Sequence, residues 1–416
     1  MTVSTRTLHP SKSRSTRRLL SSRSKTSTRT GLTYKVSGVD VEAGDSFSNF
    51  CATVCRGSYN NSPRHIKVTD LSKGNFRGPR GWQYQGMPAQ FILTTAPDGI
   101  GTKVILIVAA GDYLGAAINL IAMTADDIAC WGGLPTVFSN VLDAKSVGNP
   151  GTRQFMAYQK MMTGLGKVAK KQKLVLLNGE TAELWDCITS ENPQAKVQFN
   201  WGGVMNGVYD PNRMILGDKL RCGQVVIALR DGFRSNGISL VRRCLAREFG
   251  KQWYKNPKAK QAIKEAAKPA MIYAFFLATL NGWYDPEFKP DPNVTIALAA
   301  HLSGGSIKGK FAEMLFRHGF SADLLNLWAP PAIMRKCAKW GAVSDEECYS
   351  SWNGGQGMLL VVEPGQAKYL IHLAKKFGIE ARVCGVIKKT RGSQAHRVKI
   401  RSKFTGKTFC FKAKKK

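Results

Sequence analysis

With 416 residues, 43% of them hydrophobic, the chain is long enough for two domains with cores of their own, and no apolar run reaches the ~20 residues that a membrane helix needs. The net charge of +33 is concentrated at the ends: residues 1–34 hold eight Lys or Arg and no acid, residues 381–416 hold thirteen and no acid, and the body between carries only about +12. The ten cysteines contain no CxxC pair, which removes support for a zinc ribbon and points to a reducing compartment.

Residues 1–33 are rich in Ser, Thr and Arg and cannot form a core. They read as a solvated tail, as an organelle transit segment, or as an arm that meets RNA or another polyanion through its phosphates. Without such a transit segment the chain is expected in the cytoplasm.

A first domain is expected over 34–209. A helix over 46–55 precedes GNFRGPRGWQYQG at 74–86. There arginines, Trp82 and Tyr84 offer a grip on a phosphate or a base, and an irregular surface loop is the competing reading. Phe91 to Leu93 reads as a short buried strand that Pro97, Gly99 and Gly101 bend into a tight loop. The rest of the chain is organised around this stretch, FILTTAPDGIGTK at 91–103. Asp98 is placed to hold a metal, and Gly99 and Gly101 let backbone N–H groups approach oxygens. Thr102 adds a hydroxyl, and Lys103 an ammonium that neutralises phosphoryl charge.

Residues 113–131 repeat apolar positions at helical spacing, and the pair Asp126–Asp127 at the end of that buried helix requires a cation to meet it. A strand over 136–142, a helix over 153–171 and a strand over 174–177 follow. The last ends in Asn178–Glu183, a second loop with carboxylates and a hydroxyl at a strand end, where open α/β sheets gather their chemistry. A strand over 198–209 completes the domain.

A boundary falls at 209–213, and a second domain is expected over 210–390. Strand 224–229 turns through DGFRSNG into a helix, and Asn236-Gly237 is either an anion-facing helix start or a simple N-cap turn. The lysine-rich helical stretch 255–270 reads as a solvated face and 281–293 as an inserted loop. Strand 294–302 leads to Ser303-Gly304-Gly305-Ser306 and a helix. A glycine-bent strand over 352–364, a helix over 365–377 and a strand over 381–387 come next. The segment 391–416 is expected as a separate basic hairpin or tail.

Taken together the motifs resemble one family, phosphoribosylformylglycinamidine cyclo-ligase, also called aminoimidazole ribonucleotide synthetase. YKVSGVD at 34–40 resembles YKxAGVD, PDGIGTK at 97–103 resembles TDGVGTK, and NLIAMTADDIACWGGLP at 119–135 resembles DLVAMxVNDLxxxGAxP. NGETAEL at 178–184 resembles GGETAEMP, FRSNGISLVR at 233–242 resembles xHSNGYSLVR, HLSGGS at 301–306 resembles HxTGGG, and WNGGQGM at 352–358 resembles FNxGxGM. The matches run collinearly from 34 to about 388.

The resemblance implies two α/β domains, with the N-terminal domains of two chains pairing in a dimer barrel and an active cleft between the halves. It implies an ATP-dependent ring closure of formylglycinamidine ribonucleotide to aminoimidazole ribonucleotide in purine synthesis, by phosphorylation of the formamide oxygen. Carried onto this chain, Asp98 and Asp127 hold Mg2+ with Glu180 as a third ligand, and Lys103 stabilises the phosphoryl group in transfer. Thr181, Arg234, Ser235, Asn236, Gly304 and Gly305 bind the substrate. Gly99, Gly101, Thr102, Lys103, Asn353 and Gly355 bind ATP. The chain departs from the family pattern in having Arg234 for a histidine, Pro97 for a threonine, and no GGFGG segment before the 91–103 stretch. Two other readings stand beside it. One is a different ATP-dependent enzyme of the same superfamily. The other is a diverged, inactive relative that binds a polyanion or RNA through its basic termini.

Overall fold

The computed structural model describes residues 41–390 and 396–413, so the tail over 1–33 and the YKVSGVD motif lie outside the described residues. The first part opens with α1 (Val41–Arg56) and an antiparallel ribbon of β1 (Ile66–Asp70) and β2 (Arg80–Tyr84). It continues through β3 (Ile92–Gly99), α2 (Lys103–Ala110), α3 (Tyr113–Ala129), β4 (Leu134–Ala144), α4 (Arg153–Gln172), β5 (Val175–Glu183) and β6 (Phe199–Tyr209). The strands form a four-stranded sheet in the order β3-β6-β4-β5, in which only β4 and β5 run parallel. Helix α3 is buried on nearly all sides, and the polar residues Asn119, Thr124 and Asp126 are buried along with its apolar ones. Helix α4 starts at Thr152, whose hydroxyl accepts from the Phe155 N–H, and ends in Lys170 and Lys171, whose charges suit a helix C-terminus.

The second part contains β7 (Val225–Arg230), α5 (Ile238–Phe249), α6 (Lys260–Ala267), α7 (Ala274–Leu280) and β8 (Leu298–His301). A wide helical turn over Ile307–Ala312 feeds α8 (Glu313–Arg317), then β9 (Phe320–Leu324), α9 (Ala332–Gly341) and α10 (Asp345–Cys348). The chain continues with β10 (Gln356–Val362), α11 (Ala367–Lys376), β11 (Ala381–Lys389), β12 (Arg397–Arg401) and β13 (Thr408–Lys412). Its sheet has seven strands in the order β13-β12-β9-β11-β7-β10-β8. The end of β7, the end of β8 and the start of β10 lie at one edge of this sheet.

The two parts share a core. Ile121 and Phe138 of the first join Ile227, Leu229, Tyr273, Leu277 and Met358 of the second in one buried apolar cluster. The boundary at 209–213 therefore separates two sheets, while one of the two main cores runs across it. Among the described residues no helix is long and apolar enough to cross a membrane.

Several local expectations change. Strand β3 runs through Pro97 to Gly99, and Leu93 at its start is exposed, not buried. Asp98 pairs with Gly203, whose missing side chain leaves room for the ring of Phe138. Strand β5 likewise runs through the NGETAE motif, because its parallel pairing with β4 continues to Ala144–Glu183. The 281–293 loop is anchored: Trp283 is fully buried, and Arg213 donates through Nη1 to the carbonyls of Asn281 and Phe288, both at 2.6 Å. The 397–411 hairpin is no tail. Its β12 pairs in parallel with β9 and buries Val398 and Ile400 in the second core.

Candidate functional site

The site lies where the end of α3 and the end of β3 meet three loops of the second sheet's edge. Asp98 closes β3 and accepts the Gly99 N–H at 2.6 Å. Burial raises its pKa, the backbone hydrogen bond opposes that, and the neighbouring Asp127 charge raises it further. Asp127, near the end of α3, accepts a hydrogen bond from His301 Nδ1 at 2.7 Å. Burial works to raise the Asp127 carboxyl, but the His301 hydrogen bond and nearby positive charge bring it below its ordinary value. Lys310, on the helical turn after β8, acts electrostatically on both carboxylates. His301 itself is pushed down to about 4 by burial and the Arg234 charge, against the pull of Asp127. At neutral pH the pair is therefore a carboxylate and a neutral imidazole. Nδ1–H faces Asp127, and the lone pair on Nε2 has no protein partner.

Three more buried polar atoms are without a partner on the adjoining loops: Ser235 Oγ, Asn236 Oδ1 and Ser306 Oγ. Gly304 lies against Asn236, since a Cβ there would sit 3.4 Å from Asn236 Nδ2. Gly305 has φ +80 and turns this loop. Buried polar groups are almost always hydrogen-bonded, so this cluster on two neighbouring loops has the character of a ligand pocket. Asn353 shapes it from behind, donating from Nδ2 to the Gly232 carbonyl at 2.9 Å and accepting the Gly355 N–H at 3.0 Å. Gly355 is a packing glycine, with φ +98 and Pro330 Cα 3.0 Å from where a Cβ would stand.

Two cations expected at phosphate are held inside the protein. Lys103 is fully buried, and its Nζ donates to Asn119 Oδ1 at 2.8 Å, to the Phe233 carbonyl at 2.5 Å and to the Lys268 carbonyl at 2.8 Å. It joins the two parts and does not face the Asp98–Asp127 pair. Burial pulls its pKa from 10.5 to about 7. Arg234 is committed through its two terminal nitrogens, while its buried Nε has no partner. Its Nη1 donates to Asp231 at 2.8 Å and its Nη2 to Asp126 at 2.9 Å, and both also reach backbone carbonyls. The cation that the Asp126–Asp127 pair required is therefore Arg234, and it serves Asp126. Flanked by two carboxylates it stays charged despite burial.

Glu180 is not with the other carboxylates. Asp98 and Gly179 lie in one row across the sheet, on its two edge strands. Three strand spacings put them about 14 Å apart. Among the described residues no group of three or more His, Cys, Asp or Glu gathers around a metal position. Glu180 and Thr181 instead face a cavity of about 570 Å³ between α1 and β5, rimmed by Arg77 and Arg80. This cavity shares Asn140, Asn178, Gly179 and Glu180 with a second groove of about 750 Å³ on the sheet, which is also lined by Asp98. Trp82 and Tyr84 pack instead against the small core with Val137 and Val175. Gly99 closes on the Trp201 carbonyl, Gly101 has φ +61, and Thr102 Oγ1 meets Ser239 Oγ at 3.3 Å across the seam.

His301, Lys310, Asp231 and Asn119 are site or cage residues that sequence reasoning did not assign, and Asp126 was singled out there only as needing a cation. The signal for His301 was present at the head of HLSGGS. For Asp231 it was the acid that opens the DGFRSNG turn.

The AIR synthase related protein, N-terminal domain model matches residues 87–205, and the AIR synthase related protein, C-terminal domain model matches 221–397. The chain belongs to the AIR synthase related family. Among curated relatives, the phosphoribosylformylglycinamidine cyclo-ligase of Caldicellulosiruptor bescii is 26% identical over 367 residues, covering 86% of this chain and 97% of that relative. That of Sorangium cellulosum is 28% identical over 360 residues, covering 86% and 95%. Two solved structures share the AIR synthase fold. Thiamine-monophosphate kinase from Stenotrophomonas maltophilia K279a has a TM-score of 0.52 at 12% identity, covering 78% of this chain and 89% of that one. Hydrogenase maturation protein HypE in complex with ATP has a TM-score of 0.53 at 11% identity, covering 79% and 87%. The family match ends at the first residue of β12.

Proposed function

We propose that this protein is an ATP-dependent cyclo-ligase that closes formylglycinamidine ribonucleotide into aminoimidazole ribonucleotide in purine synthesis. Family membership and the cyclo-ligases that align over most of the chain support this reading. The observation that carries it is the meeting of the Asp98–Asp127 pair with four unpartnered buried polar atoms at the seam between the two parts.

In this reaction the formamide oxygen takes the terminal phosphoryl group of ATP and ADP leaves. The amidine nitrogen then attacks the activated carbon, the ring closes, and phosphate departs with the oxygen. Two carboxylates that share a strand end and a helix end are a donor set that suits Mg2+, which takes one or two carboxylates and completes its shell with phosphate oxygens and water. Asp98 and Asp127 would hold the ion, which supplies charge neutralisation for the phosphates. His301 fixes the Asp127 carboxylate through Nδ1–H and offers Nε2 as an acceptor. Ser235, Asn236 and Ser306 offer polar atoms to the ribonucleotide, and Gly304 keeps the backbone approachable. Lys310 is the cation best placed to balance charge near the carboxylates. The nucleotide is assigned to the cavity between α1 and β5 that Thr181, Arg77 and Arg80 line, with its phosphates reaching toward Asp98.

A homodimer through the outer face of the first sheet is part of the proposal. Leu93, Val141 and Val204 are exposed on that face.

The test is direct. The full chain, mixed with formylglycinamidine ribonucleotide, ATP and Mg2+, should yield aminoimidazole ribonucleotide by its colour reaction, and Asp127→Asn should remove turnover while the melting temperature stays near wild type. ADP without the imidazole product would move the reading to another phosphorylation on the same fold. Neither product would sink it.

A further inference from the structure

Strands β12 and β13 lie beyond all but the first residue of the family match, yet they are built into the second sheet. One face of this end of the sheet is buried: Val398, Ile400, Phe411, Ala322 and Leu324 all enter the second core. Alternation puts their neighbours on the opposite face. The register lines up Lys388, Ser321, Arg397 and Lys412 in one row across β11, β9, β12 and β13. The next row holds Val386, Asp323, Lys399 and Cys410, and Arg401 stands opposite Thr408 beyond it. Lys388, Arg397, Arg401 and Lys412 are exposed and Lys399 is half-buried. Among the described residues none of the five makes an ion pair, and Asp323 is the one acid in these rows.

Cations are also used to keep edge strands from pairing with other chains. That role does not explain this pattern. Arg397, Lys399 and Arg401 stand on β12, which has β9 on one side and β13 on the other, so none of them guards an edge. Two-residue steps along β12 set their backbone positions about 6.6 Å apart. This is close to the repeat of phosphates on an extended strand. The rows expose no aromatic side chain on this face to read bases, so recognition would run through phosphate alone.

We propose that the open face of β11, β9, β12 and β13 binds the sugar–phosphate backbone of a single-stranded nucleic acid, with Arg397, Lys399 and Arg401 as its central contacts. Binding is independent of sequence and falls steeply with salt.

The experiment uses the full chain, a fluorescent oligouridine RNA and anisotropy measured across a salt series. Three variants are compared with wild type: Arg397→Gln/Lys399→Gln/Arg401→Gln on the sheet, Lys258→Gln/Lys260→Gln/Lys264→Gln near and on α6 as a control of equal charge change, and a chain lacking residues 1–33. Melting curves establish that each is folded. The sheet variant should bind at least roughly tenfold more weakly at 0.1 M salt, with a log–log salt slope shallower by about 2 for three lost contacts. The α6 control and the shortened chain should keep most of the binding, and single-stranded DNA should compete. No RNA binding by wild type, equal loss in the α6 control, or loss on removing 1–33 would each overturn the proposal. So would binding to anionic phospholipid vesicles without binding to RNA. If the triple variant does not fold, Lys399→Gln alone should lower the slope by about 0.7, and an unchanged slope overturns the proposal equally.

Discussion

Lys103 and Arg234 show how a residue's role depends on what surrounds it. Lys103 has three acceptors around one nitrogen, and an ammonium has three N–H donors to match them. Burial nevertheless disfavours the charge and brings the group to about 7, against 10.5 in the open chain. Between those values the unfolded chain binds one more proton, so this group makes the fold more stable as pH rises, and below pH 7 its contribution is flat. Over pH 7 to 8.5 the gain is about 2 kcal/mol. Buried thiols such as Cys130 and Cys384, whose pKa values are raised, act in the opposite direction once their unfolded forms ionise, so the window is best kept below pH 9. Urea unfolding at pH 7 and 8.5 should give wild type a change about 2 kcal/mol more favourable than that of Lys103→Met, which keeps the same thiols; equal changes in both refute it. Arg234 gives a second test. Removing it leaves Asp126 and Asp231 buried together, and Arg234→Ala should cost about 3–5 kcal/mol. Adding Asp126→Asn to Arg234→Ala should recover part of the loss, since it removes one uncompensated charge. In the 119–135 motif the family string has Asn where Asp126 stands, and it has His where Arg234 stands, so the acid and the fixed cation depart from the pattern together. That Asp126–Asp127 needed a cation was legible in the sequence. That the cation was Arg234, 108 residues away, was not.

At the scale of elements, the types and order of the main helices and strands followed from apolar spacing and glycine breaks. The two chemistry-bearing motifs did not. Asp98 and Glu180 were expected on loops after short strands, and both lie within strands that pairing extends past the polar residues. Local sequence favours a turn at Pro97 and Gly99, but β6 offers Gly203 and Gly202 opposite Asp98 and Gly99, and the ladder continues. The consequence is a separation that spacing along the chain cannot reveal: β3 and β5 are the two edges of one sheet. A single Mg2+ cannot take ligands from both within one chain. Glu180→Gln should therefore leave the Mg2+ concentration for half-maximal turnover unchanged and raise KM for ATP about 10- to 150-fold, the range for one lost hydrogen bond to an ionised group. Asp98→Asn should instead shift the Mg2+ requirement upward. A rise in the Mg2+ requirement for Glu180→Gln would put Glu180 back among the ligands.

For the whole molecule, charge and apolar surface pull in opposite directions. A net charge of +33 opposes self-association, most strongly at low ionic strength. The outer face of the first sheet favours it, with Leu93 68%, Val141 47% and Val204 38% exposed. Salt screens the repulsion and leaves the apolar contact intact. The proposed homodimer should therefore tighten as salt rises from 0.05 to 0.5 M, the same range over which nucleic acid should be released from the second sheet. Sedimentation velocity on the full chain can follow the first change while anisotropy follows the second. Val141→Lys/Val204→Lys should keep the chain monomeric at every salt concentration, because each lysine would place a charge in the apolar contact. Its melting curve should remain cooperative, since neither side chain belongs to the shared core. If that variant still dimerises, the contact lies elsewhere. If dimerisation weakens with salt, attraction between unlike charges drives it, and the exposed sheet face is not its basis.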